Sequence, residues 1–270
     1  MRTHSLRLCS ALAIATGAVP CAHAANDTES PWSLSVFGGQ AVGFTGNLRT
    51  SEITSIPDLG VLDPELAENP GSLTLNNVSY DDIFRHRHDL GFELDYAFTP
   101  NVAGFARATY AGLAGQNLTI GSLSSNAFES PQPLNASFED ANSWALEVGS
   151  RYYWPTASSW RPFAGIALGA TRMDALTAAL QVPGTDIDMP DVHFTRAGIS
   201  FTQDVEGGIQ YAPNRNFGLS FALSAEHMGN LPESSDPDLI NLGIDTTRDS
   251  EDRWSFPITL TASYRFGQPG

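Results

Sequence analysis

The sequence predicts an all-β fold, a transmembrane antiparallel up-and-down β-barrel of about eight strands. Three observations predict it: an N-terminal export signal, long segments in which apolar and polar residues alternate, and connections that are alternately short and long. We expect residues 1–24 to be a cleaved signal peptide. Residues 25–270 then form a single barrel domain with short periplasmic turns and long extracellular loops.

The export signal consists of two arginines followed by an apolar run over residues 8–19, which is too short to span a bilayer. Ala22 and Ala24 form the small-x-small pattern that signal peptidase accepts, so cleavage is expected after Ala24. Cys21 as a lipoprotein anchor is the alternative, but residues 18–20 do not make the usual lipobox. Cleavage removes both cysteines of the chain, so no disulfide can form.

Composition excludes several classes of protein. All 14 basic residues are arginine, and 30 acidic residues bring the formal net charge to −16. This charge excludes nucleic acid as a partner. No apolar stretch of about 18 residues follows the signal, so no transmembrane helix is expected. Any crossing of a membrane must therefore be made by strands.

The C-terminal segment gives the strongest evidence for strands, because its residues alternate from Trp254 to Phe266. A soluble strand usually has about 5–6 residues, whereas a tilted membrane strand needs about 9–11. The length of this segment therefore favours a membrane strand. Its apolar face consists of Trp254, Phe256, Ile258, Leu260, Ala262, Tyr264 and Phe266.

Alternation also predicts the other seven strands and their connections. The strands fall at about residues 32–44, 90–98, 102–112, 144–154, 160–173, 204–211 and 217–226. Short turns are predicted at residues 99–101, 155–159 and 212–216, and long polar loops at about 45–85, 113–141, 174–199 and 229–252. The first, third and fifth strands are rich in glycine and alanine, so the sequence leaves their faces ambiguous.

Two sets of residues support a membrane barrel. The tryptophans sit at strand ends, as in aromatic girdles at membrane interfaces: Trp32, Trp144, Trp154, Trp160 and Trp254. Charged residues lie opposite the apolar stripes: Glu93, Asp95, Glu147, Arg151, Glu206, Glu226 and Arg265. Because an eight-stranded barrel is only wide enough for side chains, we expect these charges to pair and plug the lumen. The alternative is that they lie on a solvated face.

The final strand, which ends on Tyr264 and Phe266, resembles the assembly signal of bacterial outer-membrane barrels, although residues 267–270 follow it. The architecture resembles the small eight-stranded family that includes the OmpA transmembrane domain and OmpX. This resemblance implies a location in the cell outer membrane, contact with outer-membrane lipid and lipopolysaccharide, and recognition by the barrel-assembly machinery. It also implies a non-enzymatic structural or surface-interaction role without a cofactor, with an extracellular ligand or host surface as the remaining candidate partner.

The long loops contain several local patterns. Asp63-Pro64-Glu65 is a helix N-cap and first turn, and Asn69-Pro70 ends it. Asp174 precedes a predicted short amphipathic helix with Ala175, Leu176, Ala179 and Leu180, which Pro183-Gly184 ends.

The last loop collects seven acids that could bridge divalent ions, but solvated acidity is the simpler interpretation, because the loop lacks the spacing of an EF-hand. They are Glu233, Asp236, Asp238, Asp245, Asp249, Glu251 and Asp252.

A lipid-A-modifying acyl hydrolase or transferase is the alternative function, since some barrels of this size are such enzymes. The candidate neighbours Ser224, Glu226 and His227 cannot assemble as a triad, because His227 points to the opposite face of the strand. His86 and His88 share one face, but two ligands do not make a zinc site. A soluble lipocalin-like binder is disfavoured by the charged interior.

Overall fold

The computed structural model describes residues 29–231 and 252–267, in which nearly all the regular structure is β. In chain order the elements are β1 (Glu29–Thr45), β2 (Asn47–Arg49), β3 (Glu52–Ile56), β4 (Gly71–Leu75), β5 (Val78–Ser79), α1 (Tyr80–Ile83), β6 (Phe84–Thr99), β7 (Val102–Gly115), β8 (Asn117–Ser125), β9 (Gln132–Phe138), β10 (Ala141–Tyr153), β11 (Trp160–Met173), β12 (Leu176–Gln181), β13 (Asp188–Thr195), β14 (Gly198–Tyr211), β15 (Phe217–Met228) and β16 (Arg253–Gly267).

Eight long strands form a closed antiparallel barrel in the order β1, β6, β7, β10, β11, β14, β15 and β16. Strand β16 closes the sheet by pairing with β1, with Gly38 opposite Leu260. Closure leaves no barrel strand with an unpaired backbone edge. The predicted eight-stranded barrel and its three short turns are confirmed. No helix among the described residues is long and apolar enough to cross a membrane.

The polarity of the barrel is inverted relative to a soluble protein. On β6, Leu90 and Phe92 point outward and are about 60% exposed (61% and 60%), whereas Glu93 between Phe92 and Leu94 is only 2% exposed. The same alternation of exposed apolar and buried polar residues continues on β10 and β14. An apolar exterior that is stable only when it is covered by lipid identifies a transmembrane barrel.

The long loops contain an additional sheet that the sequence analysis did not predict. Their strands pair in the order β13, β12, β9, β8, β4 and β3, so this outer sheet joins hairpins from three different loops. One side of it covers an apolar core in which Leu59, Ile83 and Leu180 are fully buried. The three connections at about 45–85, 113–141 and 174–199 are long, as predicted, but much of each is strand with buried apolar side chains rather than polar loop.

The predicted helix after Asp174 was also wrong, because this segment forms strand β12. Leu176, Ala178 and Leu180 are buried on one face, which is a period of two, and they pack into the core of the outer sheet. The predicted N-cap at Asp63 lies on a single 3₁₀ turn, Pro64–Leu66, where its carboxylate accepts a hydrogen bond from the Glu65 N–H at 2.9 Å.

The core of the outer sheet closes the extracellular end of the barrel. Tyr80 and Ile83 of α1 are buried in it, and Met173 joins it from the end of β11. Directly below, the guanidinium of Arg253 lies 5.0 Å from the centre of the Tyr80 ring. Apolar packing therefore ends where the polar interior of the barrel begins.

Candidate functional site

The interior of the barrel is filled by three arginines and the carboxylates around them. Arg151, on β10, makes a bidentate pair with Glu93, with Nη1–Oε1 and Nη2–Oε2 distances of 2.6 and 2.8 Å. It also lies 3.3 Å from Asp95 and forms an ion pair with Glu206. Ser35 donates a hydrogen bond to Asp95 at 3.1 Å, which extends the network to β1.

Arg107, on β7, binds three carboxylates from two other strands. Its Nε donates to Glu147 at 2.9 Å, its Nη2 to Asp204 at 2.6 Å, and its Nη1 to Glu206 at 3.3 Å. The Phe105 ring lies 5.4 Å from the same guanidinium. Since Glu206 contacts both Arg107 and Arg151, the two clusters form one network.

Arg87 forms a third cluster nearer the extracellular end. Its guanidinium lies 2.7 Å from both Asp89 and Glu226. Ser255, on β16, accepts a hydrogen bond from Arg87 at 2.9 Å and donates one to Glu226 at 3.0 Å. The three clusters stack along the barrel axis and involve strands from all around the wall.

Glycines on β11 make the network sterically possible. A Cβ atom at Gly169 would lie 2.7 Å from Cγ of Glu147, and one at Gly165 would lie 2.7 Å from Oε1 of Glu206 and 3.0 Å from Cγ of Arg151. The Arg151 side chain from β10 therefore crosses over β11 to reach Glu206 on β14. Any larger residue at Gly165 or Gly169 would collide with these side chains.

The network is rich in acid, with seven carboxylates bound to three guanidinium groups. Two carboxylate oxygens, Oε1 of Glu147 and Oδ1 of Asp204, are buried without a hydrogen-bond partner in the described part of the chain. Buried charges of this kind are costly unless they are paired, so each arginine is essential to the acids it binds.

The structure places six of the seven predicted lumen residues in these clusters: Glu93, Asp95, Glu147, Arg151, Glu206 and Glu226. The seventh, Arg265, lies at the periplasmic mouth of the lumen. Sequence reasoning missed four network residues: Arg87, Asp89, Arg107 and Asp204.

Different signals could have revealed the missed residues. Arg107 lies directly opposite Glu93 on one neighbouring strand and Glu147 on the other, but the alanines and glycines of β7 concealed its face. Asp204 shares the face of Glu206 two residues later. Arg87 and Asp89 were missed because the strand was predicted to start at residue 90. In the structure it starts at Phe84.

Below the network, the lumen opens toward the periplasm as a polar cavity of about 160 Å³. Hydroxyl groups of Ser33 and Thr261 line one side, and Arg161 and Arg265 stand at its mouth. The Arg161 guanidinium packs 4.9 Å from the centre of the Tyr153 ring. Its inner end is lined by Arg107 and Arg151 of the network, so it is a recess that opens on the periplasmic side.

All five tryptophans are exposed on the barrel exterior, near strand ends. Trp32, Trp154 and Trp160 lie toward the periplasmic turns, and Trp144 and Trp254 lie toward the outer sheet. Three of them contact a tyrosine on a neighbouring strand, with ring centres 4.7–4.8 Å apart for Trp32–Tyr96, Trp144–Tyr110 and Trp160–Tyr211. Tyr264 and Phe266 lie on the outer face near the end of β16.

The four histidines of the described residues, His86, His88, His193 and His227, lie on the outer surface. His86 and His88 have ring centres 6.1 Å apart, and no group of three or more ligating side chains occurs among the described residues. His227 contacts Asp252, with 3.2 Å between Nε2 and Oδ2. Glu226 points into the lumen and binds Ser255 and Arg87, so it is not oriented to assist His227. The other six acids of the last loop lie outside the described residues, as do residues 1–28.

Solved structures of outer-membrane barrels align with most of this chain. The Neisserial surface protein A is 13% identical over 89% of this chain and 100% of that chain, with a TM-score of 0.42. The outer membrane protein OprG from Pseudomonas aeruginosa is 12% identical over 89% and 98%, with a TM-score of 0.39. The outer membrane enzyme PagL is 12% identical over 85% and 97%, with a TM-score of 0.38.

No protein-family model and no curated protein matches the sequence. At the identities and TM-scores given above, the structural similarities say nothing about what this chain binds or catalyses. The closed ring of eight strands, with an apolar exterior and a charged interior, defines the class of the protein. The chain folds as a small eight-stranded transmembrane β-barrel.

Proposed function

We propose that this protein is a non-enzymatic outer-membrane barrel that holds a folded β-sheet outside the cell as an interaction surface. The observation that carries the proposal is the outer sheet itself, which has six strands and its own apolar core. A structural anchor alone would need only short loops. Here three loops combine to build a defined surface above the membrane.

The composition of the outer sheet supports a role in recognition. Strands β4, β8, β9 and β12 contain no charged residue, although the chain as a whole is strongly acidic. Their solvent-facing side chains pair with one another, for example Thr119 with Asn135 at 2.8 Å and Ser137 with Asn117 at 2.6 Å. The result is a rigid, neutral face of hydroxyl and amide groups, which suits contact with another surface better than repulsive acids would.

The interior supports anchoring rather than transport. The ion-pair network fills the lumen, and the apolar core closes its extracellular end. We therefore expect no single-channel currents from the purified protein in planar bilayers, because the side chains of residues 29–231 and 252–267 leave no continuous aqueous path through the barrel.

The test is adhesion of cells that display the protein. Cells expressing the parent protein should bind to an epithelial monolayer or to one another more than cells without it. The double variant Thr119→Arg and Ser137→Arg should lose this gain, because two hydrogen bonds on the exposed, neutral face of the sheet would be replaced by bulky charged side chains. Arg215→Gln, at a periplasmic turn, is the control. Parent cells that adhere no better than cells without the protein would contradict the proposal.

Catalysis on outer-leaflet lipid remains the second candidate, and the contact of His227 with Asp252 is the observation that favours it. An acid-oriented histidine is part of a hydrolytic site, but a nucleophile must also lie within hydrogen-bond reach. No serine or threonine hydroxyl in residues 29–231 and 252–267 bonds to this imidazole. Release of fatty acid from lipid A by the purified protein, with its loss in His227→Ala, would favour the enzyme.

A further inference from the structure

Two acids of the lumen, Glu147 and Asp204, share one edge of a single arginine. Arg107 donates from Nε to Oε2 of Glu147 at 2.9 Å and from Nη2 to Oδ2 of Asp204 at 2.6 Å. These two N–H groups lie on the same edge of the guanidinium and point the same way, and one carboxylate usually occupies such an edge with both of its oxygens. Two carboxyl groups therefore lie side by side where one is the usual number.

The strands bring these two side chains together from either side of β11. Glu147 on β10 is paired with Gly169, and Asp204 on β14 is paired with Ala167, two residues away on the same face of β11. The Glu147 side chain lies against Gly169, where a Cβ atom would be 2.7 Å from its Cγ. Because β11 presents only glycine and alanine at these positions, none of its side chains separates the two carboxyl groups.

Each of the two carboxyl groups has a second oxygen that lacks a donor. Oε1 of Glu147 and Oδ1 of Asp204 are buried and accept no hydrogen bond from the described residues. The two side chains are only 5% and 4% exposed. A buried carboxylate oxygen without a donor leaves negative charge uncompensated in a medium of low polarity, which is costly.

The other acids of the network are better compensated. Both oxygens of Glu93 are bound by one arginine, and Glu206 is bound by two. Serine hydroxyls donate hydrogen bonds to Asp95 and Glu226 in addition to their arginine contacts. Within the described part of the chain, the pair on Arg107 contains the only network carboxylates that have a buried oxygen without a donor.

The surroundings of the pair do not supply the missing positive charge. Acids outnumber arginines in the lumen, and β1 and β11 present no charged side chain at this depth. Besides Arg107 on β7, the charged side chains that face the lumen around the pair are Arg87, Asp89 and Glu93 on β6, Arg151 on β10, Glu206 on β14, Glu226 on β15 and, at the outer end, Arg253 on β16. When two carboxyl groups share a buried site of this kind, ionisation of one opposes ionisation of the other.

We propose that Glu147 and Asp204 together bind one proton at neutral pH and form a carboxyl–carboxylate pair on Arg107. The proton occupies one of the two oxygens that lack a donor, so both contacts with Arg107 remain. The single negative charge left on the pair is matched by the single positive charge of Arg107, while Glu206 keeps its contact with Arg151. This inference is independent of what the outer sheet recognises.

A proton held by the pair makes the stability of the barrel depend on pH. In the unfolded chain both carboxyl groups are ionised above about pH 4, whereas the folded pair keeps one proton at neutral pH. Between these limits, the contribution of the site to the ratio of folded to unfolded protein rises about tenfold for each unit by which the pH falls. Mild acid therefore favours folding at this site, whereas ordinary carboxylates paired with arginine lose stability in acid.

The direct test is infrared spectroscopy of the folded barrel in detergent micelles at pH 7, because a protonated carboxyl group and a carboxylate absorb at different frequencies. The parent should show a protonated-carboxyl band that loses the intensity of one group in Asp204→Asn and in Glu147→Gln, since the remaining acid is then ionised on Arg107. Glu139→Gln, at an exposed position between β9 and β10, is the control and should leave the band unchanged. A parent without a protonated-carboxyl band, or a band unchanged in both pair variants, would overturn the proposal.

Urea unfolding between pH 6 and pH 8 gives a second readout. The folding equilibrium constant of the parent, divided by that of Asp204→Asn, should fall about tenfold for each unit of rising pH, and Glu139→Gln should follow the parent. If Asp204→Asn does not insert, Glu147→Gln takes its place, and the band of the parent decides if neither inserts. Parallel pH profiles of the parent and the pair variant, or a dependence on sodium or potassium concentration instead of pH, would refute proton binding.

Discussion

Arg107 is the residue whose removal should damage the barrel most. Glu147 and Asp204 form ion pairs with no other described residue, and their side chains are only 5% and 4% exposed. Arg107→Met would preserve much of the side-chain volume while leaving both carboxylates uncompensated. Breaking one buried pair typically costs about 3–5 kcal/mol, so we expect a loss of at least that size. Glu206 is less affected because it keeps Arg151.

The measurement is urea unfolding in detergent micelles, followed by the fluorescence of the five tryptophans at the strand ends. Arg172→Met is the matched control, because Arg172 is exposed and unpaired among the described residues. This change should alter the free energy of unfolding by less than about 0.5 kcal/mol. Equal unfolding curves for the two variants would refute the reasoning, since they would mean that water already solvates Glu147 and Asp204.

A rescue experiment separates charge from packing. In the Arg107→Met background, adding Glu147→Gln and Asp204→Asn removes the two uncompensated charges and should restore most of the lost stability. If the triple variant is as unstable as Arg107→Met alone, the loss arises from the contacts of Arg107 with Phe37 and Phe105 instead. Arg107 would then stabilise the barrel through packing rather than through charge compensation.

Three further predictions follow from the fold. Unboiled protein should migrate faster than boiled protein in detergent gels, and identical mobility together with recovery in the soluble periplasm would contradict an embedded barrel. Leu260→Arg, at a lipid-facing position near the middle of β16, should lower the free energy of unfolding in urea by roughly 2–4 kcal/mol. If the Leu260→Arg barrel is stable while Thr261→Arg fails to insert, the lipid-facing and lumen-facing sides of β16 have been assigned the wrong way round. Leu180→Ala should lower the free energy of unfolding by about 2–5 kcal/mol, because it leaves a cavity in the core of the outer sheet, and it should increase proteolysis of the protein on intact cells. Leu219→Ala, on the lipid face, should not increase this proteolysis.

The barrel was predictable because the alternation of apolar and polar residues continues along whole strands. Between Trp254 and Phe266 the alternation lasts through a whole strand, and the pairing confirms it over Arg253–Gly267. The outer sheet was not predictable in the same way. Leu176, Ala178 and Leu180 also alternate, but the strand is short and Ala179 lies between them, so a helical period fits equally well.

The ion-pair network in the lumen could be predicted in part from the same alternation. Glu93, Glu147 and Glu206 stand out against apolar neighbours, whereas Arg107 is surrounded by small residues that carry no signal of face. Only the register, in which Arg107 lies between Glu93 and Glu147, assigns it to the interior. Registers of this kind depend on the whole sheet and cannot be obtained from one strand.

The outer sheet also constrains the order in which the protein can assemble. Its strands come from three loops: β3 and β4 from the first, β8 and β9 from the second, and β12 and β13 from the third. The pairing of β4 with β8 and of β9 with β12 joins different loops. These ladders can form only after all three loops have reached the same side of the membrane. Completion of the sheet is therefore a late, non-local step, and its slow formation would leave translocated loops open to surface proteases in the interval.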